Sequence, residues 1–111
     1  MKFCVVAENI NDILFPTKTY SLQPGEEVDT GFNNYGMYLV RSTSIGRTDL
    51  VFIGSSAIGQ YTASSNESGF TSDVSSNSGI FVGRKENNGN IFIKNNSTSL
   101  RNIQIRRFRI L

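Results

Sequence analysis

The chain has no histidine and no tryptophan, and only one cysteine and two prolines in 111 residues. Without histidine there is no Ser-His or Cys-His nucleophile, no histidine zinc site, and no side chain that ordinarily titrates near neutrality. The lone cysteine, Cys4, excludes an internal disulfide and a thiolate zinc cluster. Within FCVVA it reads as a small buried apolar residue. No apolar run approaches the roughly 18 residues that cross a bilayer. The start, MKFCVVAENINDILF, has a short apolar patch followed by Glu8 and Asp12, unlike a secretory leader. The expectation is a protein made in a cytoplasm, with no membrane segment and no cofactor.

Little catalytic chemistry remains. FIGSSAIG lacks the histidine a nucleophile elbow requires, so it reads as a turn. The nine carboxylates are Glu8, Asp12, Glu26, Glu27, Asp29, Asp49, Glu67, Asp73 and Glu86. Two of them about 5–9 Å apart would suit glycoside hydrolysis, but most fall in turn-like stretches. The expectation is no enzyme. Asp73, Ser75 and Asn77 alternate like calcium ligands. Ser78 and Arg84, however, stand where an EF-hand needs glycine and glutamate, leaving only another kind of calcium loop open. Net charge is +2, with arginine gathered at Arg101, Arg106, Arg107 and Arg109. Acidic residues nearly balance it and no OB or RNP pattern appears, so nucleic acid is not an expected partner.

Serine, threonine and asparagine make up 34 of the 111 residues. Their side chains compete with helical backbone bonding and favour turns and strand surfaces. Short apolar or alternating runs between Gly, Asn, Ser and Pro clusters predict strands over 3–8, 17–22, 27–32, 36–42, 49–54, 59–63, 69–74, 79–84, 90–94 and 100–110. The fold expected is one domain over residues 1–111: an antiparallel, jelly-roll-like β-sandwich of about eight to ten short strands. Pro24–Gly25 suits a type II turn, and Asn88–Gly89 a hairpin. The strands at 79–84, 90–94 and 100–110 are expected to form a three-stranded meander.

Side chains alternate across a strand. Ile103 and Ile105 share one face, whereas Phe108 and Ile110 have the opposite parity. A β-bulge near Arg106–Arg107 would restore one inward face and send Arg107 and Arg109 out together. Those arginines either sit in solvent or meet another chain. GMYLV, DLVFIG, GIFVG and NIFIK are apolar at consecutive positions. Met37 and Leu39 are read as inward, with Tyr38 and Val40 outward. Phe52, Phe81 and Phe92 lie opposite in parity to their aliphatic neighbours. Outward apolar faces call for a cover: another subunit, a larger assembly, loops folding back, or a flat ligand such as a sugar.

The stretches MKFCVVAENINDILFP, KTYSLQPGEEVDTGF, YGMYLVRS and GNIFIKNNSTSLRNIQIRRFRIL, with the Ser/Thr/Asn/Gly richness and missing histidine, together resemble the small all-β virion proteins of tailed bacteriophages. These are head decoration proteins, head fibres and tail-fibre tips. The resemblance implies a virion subunit made in the host cytoplasm, homo-oligomeric and often trimeric, that adheres to other virion proteins or to a host-surface glycan. It assigns no role to any residue. The contact residues expected are Tyr38, Phe52, Phe81, Phe92, Arg106, Arg107 and Phe108. The alternative is a carbohydrate-binding β-sandwich module using Tyr35, Tyr38 and Tyr61.

Overall fold

A computed structural model of the chain describes residues 16–62 and 69–108. Nine strands run through them: β1 Thr17–Leu22, β2 Glu27–Asp29, β3 Gly36–Ser42, β4 Arg47–Ile53, β5 Tyr61–Thr62, β6 Phe70–Thr71, β7 Ile80–Arg84, β8 Ile91–Asn95 and β9 Arg101–Arg107. They form a five-stranded sheet, β1-β9-β3-β4-β5, and a four-stranded sheet, β2-β8-β7-β6. All pairs are antiparallel except β6–β7. The described residues contain no helix, so none is long and apolar enough to cross a membrane. The strand expected over 3–8 lies outside the described residues, as do Arg109, Ile110 and Leu111.

The core fills the space between the sheets by alternation. Tyr38 and Val40 of β3, Val51 and Ile53 of β4, and Ile103 and Ile105 of β9 face Ile80 and Val82 of β7 and Ile91 and Ile93 of β8. The four core isoleucines of β8 and β9 are completely inaccessible, and each such side chain contributes roughly 1.5–3 kcal/mol of burial. The first connection follows the expected turn chemistry: Gly25 sits at φ 80°, and Glu26 N–H donates to Gln23 O at 3.0 Å. In the β7–β8 hairpin the left-handed residue is Asn88, at φ 59°.

Three expectations are corrected. The terminal meander does not form. β7 and β8 pair, but β9 joins the other sheet between β1 and β3. Strand parity in β3 is reversed: Tyr38 and Val40 are inward and fully buried, while Met37 and Leu39 face outward, half-buried. The bulge at Arg106–Arg107 is absent. Val40↔Ile105, Leu39↔Arg106 and Tyr38↔Arg107 follow one another without interruption. Arg107 therefore stands on the inward side with Ile105, and Arg106 on the outward side.

Two buried polar residues close the ends of the sandwich, and both belong to the β7–β8 hairpin. At one end Arg84, 2% exposed, donates from Nε to Gly54 O (2.7 Å), from Nη2 to Asn33 O (2.5 Å) and from Nη1 to Gly89 O. A planar guanidinium with five donors suits three carbonyls arriving from three loops. The Gln60 amide completes the clamp: Oε1 accepts from Arg84 N–H at 2.9 Å, and Nε2 donates to Arg84 O and Ser72 O, each at 3.0 Å. It pairs with this edge of β7 as a strand would. Gly83 makes room for it, since a Cβ there would lie 2.4 Å from Gln60 Nε2. At the other end Asn95, fully buried, donates from Nδ2 to Leu22 O (2.9 Å) and Ser99 O (2.8 Å), while its Oδ1 accepts from Ser97 N–H (3.0 Å).

Candidate functional site: a divided face on the five-stranded sheet

The outer face of the five-stranded sheet is built in rows, because the strands pair in register. Thr19, Gln104, Arg41 and Thr48 lie side by side across β1, β9, β3 and β4. Thr17, Arg106, Leu39 and Leu50 form the next row. Met37 pairs with Phe52 in the row beyond, where Phe108 N–H donates to Met37 O at 3.0 Å. The face is thus divided. Its half toward the 43–46 turn is polar, and its half toward the Arg84 end is apolar.

Met37, Leu39, Leu50 and Phe52 make a square of apolar side chains, each half-buried. Phe108 and Met37 continue it into a depression of about 380 Å³ that Asn34, Tyr35, Gly36 and Arg107 also line. Tyr35 is 76% exposed, yet its loop is firmly held. Thr30 Oγ1 donates to Ile91 O, Asn33 Nδ2 to Asn88 O and Asn90 Oδ1, and Asn34 O accepts from Tyr38 O–H at 2.6 Å. Arg84 grips Asn33 O from below. A large aromatic on an anchored loop loses little conformational freedom on contact. Arg106, whose Nε donates to Thr17 Oγ1 at 2.9 Å, flanks the apolar half, and Arg107, on the inward side of β9, lines the depression at its end.

The four-stranded sheet covers its own outer face. Phe81 has outward parity but is only 4% exposed, and it shares a small depression with Val74, Lys85 and Lys94. Phe92 is roofed by Lys85, whose Nζ lies 4.8 Å from the ring centre and 3.0 Å from Glu27 Oε1. Of the expected contact residues, Phe52, Phe108, Arg106 and Arg107 gather at the apolar half. Phe92 and Phe81 belong to the other sheet, and Tyr38 lies in the core. The expected sugar tyrosines are likewise separated: Tyr35 is on the surface, Tyr38 is buried, and the Tyr61 side chain lies outside the described residues. Missed were Met37, Leu39 and Leu50. The signal was present for Met37 and Leu39, which in GMYLVRS share parity with Arg41 rather than with Ser42, and Leu50 follows as the partner of Leu39.

Burial raises the Tyr38 hydroxyl to a pKa of about 12, although the Arg107 and Arg84 charges oppose the shift. A phenol whose folded pKa lies above its ordinary value of 10.0 binds its proton more tightly in the native state. Its contribution is complete below pH 10 and is lost as pH rises toward 12. Urea midpoints should therefore fall across that window, and less so in Tyr38→Phe. That variant should itself lose about 1 kcal/mol at neutral pH with the Asn34 hydrogen bond. Equal alkaline losses in the two proteins would contradict this placement.

No group of three or more metal-ligating side chains occurs among the described residues. The Asp73 Oδ1 is engaged by Ser75 N–H (2.9 Å) and Ser75 O–H (2.7 Å), and these hydrogen bonds hold the carboxyl below its ordinary range. Compared with protein-family models, curated proteins and solved structures, the chain has no match.

Proposed function

We infer that the protein is a non-enzymatic assembly and adhesion subunit of the bacteriophage-virion kind, working through contact area between copies of itself. The observation that carries the reading is the apolar square Met37, Leu39, Leu50 and Phe52, extended by Phe108 and the exposed Tyr35 and flanked by Arg106 and Arg107. Aromatic, methionine and arginine side chains around an apolar centre are the composition enriched in protein interfaces. A second copy seated there would bury the square and place arginines at the rim, where partner carboxylates pair with them. Light scattering on the full chain should return a stable oligomer, with a trimer the expected size. Leu50→Glu should yield a folded monomer, because a charge in the centre of such a contact is desolvated without a partner. A wild-type chain that stays monomeric at high concentration would overturn the reading.

The polar half of the same face favours a second reading, a carbohydrate-binding module. Its side chains are hydroxyls, amides and a guanidinium, with no carboxylate in the rows of Thr19 and Ser21.

A further inference from the structure

A depression of about 230 Å³ opens in the polar half, lined by Thr19, Arg41, Thr43, Asn102, Ile103 and Gln104. Ile103 turns its side chain into the core, so the lining chemistry comes from the other five. Asn102 Oδ1 is taken by the Ser21 hydroxyl, which leaves its NH₂ as the free end. Ser44 Oγ accepts from Asn102 N–H at 2.9 Å, tying the 43–46 turn, and with it Thr43, to β9. Arg41 is exposed and forms no ion pair among the described residues. The depression thus presents a guanidinium fork and amide and hydroxyl donors on rigid strands, and no acid.

We propose that this depression binds a single pyranose unit bearing a carboxylate, a uronic or nonulosonic acid, with Arg41 holding the carboxylate and Thr19, Thr43, Asn102 and Gln104 the hydroxyls. A donor-rich site selects an acceptor-rich ligand. The guanidinium fork matches a carboxylate bidentately. Drug-sized ligand pockets run from about 300 Å³ upward, so this smaller space suits one ring better than a peptide segment. A peptide would also seek apolar side chains to pack against, and the one in the lining, Ile103, turns into the core. The assignment rests on the carbohydrate reading and narrows it to acids.

The test is an amide NMR titration of the full chain with sodium glucuronate, sodium N-acetylneuraminate, glucose, acetate and a polyglutamate peptide. Either sugar acid should shift the signals of Thr19, Arg41, Thr43, Asn102 and Gln104 saturably. The tighter of the two identifies the source. Arg41→Gln should weaken the acids about tenfold or more and leave glucose unchanged, and Gln104→Ala should weaken all three sugars. Neither change touches the core, so both spectra should otherwise overlay the wild type. Glucose bound here as tightly as the acids would keep the carbohydrate reading and reject this assignment. No sugar response, an equal response to acetate, or tighter binding of the peptide would overturn it.

Discussion

Arg84→Met should unfold the protein or bring it to the edge of unfolding. Methionine fills much of the same volume, so the loss isolates the hydrogen bonds. The carbonyls of Gly54, Asn33 and Gly89 would each lose their donor beside a side chain that is 2% exposed. A buried orphaned acceptor costs about 1–3 kcal/mol. Release of the buried cation offsets part of that, leaving an expected loss of about 3–5 kcal/mol. Small domains have about 5–15 kcal/mol in total. Arg84→Lys should recover only part, since one ammonium cannot reach three carbonyls in a plane. The urea midpoint decides the matter. A shift of Arg84→Met worth less than about 1 kcal/mol would show that water replaces the clamp. The same variant bears on the site, because Arg84 anchors the loop that presents Tyr35.

Asn95→Asp should be nearly as damaging, through a different term. Asn95 Nδ2 lies 2.9 Å from Leu22 O and 2.8 Å from Ser99 O. Aspartate removes both donors and turns a charge toward two carbonyl oxygens in a fully buried place. The folded-state carboxyl would hold its proton to escape this, so its pKa would rise. Stability of Asn95→Asp should then be highest at acid pH and fall as pH rises through the ordinary carboxylate range, by about 3 kcal/mol or more at neutrality. Asn95→Leu should lose a similar amount with no such pH dependence. A pH-independent Asn95→Asp would mean that the side chain swings out to water.

What was legible in the chain was local. Strands β1 and β3 fall on the residues expected, 17–22 and 36–42, because Pro24–Gly25 and Gly36 bound alternating runs. The sandwich follows from many short strands and no helical period. Partner choice was not legible. β9 follows β8 through a short polar link, and link length alone suggests a hairpin. The link instead crosses between the sheets, and Asn95 holds its bend through Ser97 and Ser99. Arginine burial was equally hidden. The three acceptors of Arg84 sit at positions 33, 54 and 89, and only the folded chain brings them together. The expected bulge turned Arg107 outward. In the structure it stands beside Tyr38 on the inward side, where its charge acts on the phenol. The apolar half was partly legible: Phe52 was expected to face outward and Phe108, Arg106 and Arg107 were among the expected contacts, whereas Met37 and Leu39 were assigned to the inward side.

The most direct measurement is the broadening of the Met37 methyl signal by a soluble spin probe, followed as protein concentration rises. The chain has two methionines, so the signal is readily assigned. If copies meet through the apolar square, the Met37 methyl should become shielded as oligomers form, while amides on the exposed β7–β8 turn stay broadened. A methyl that remains equally broadened while the protein is oligomeric would place the contact elsewhere and contradict the account.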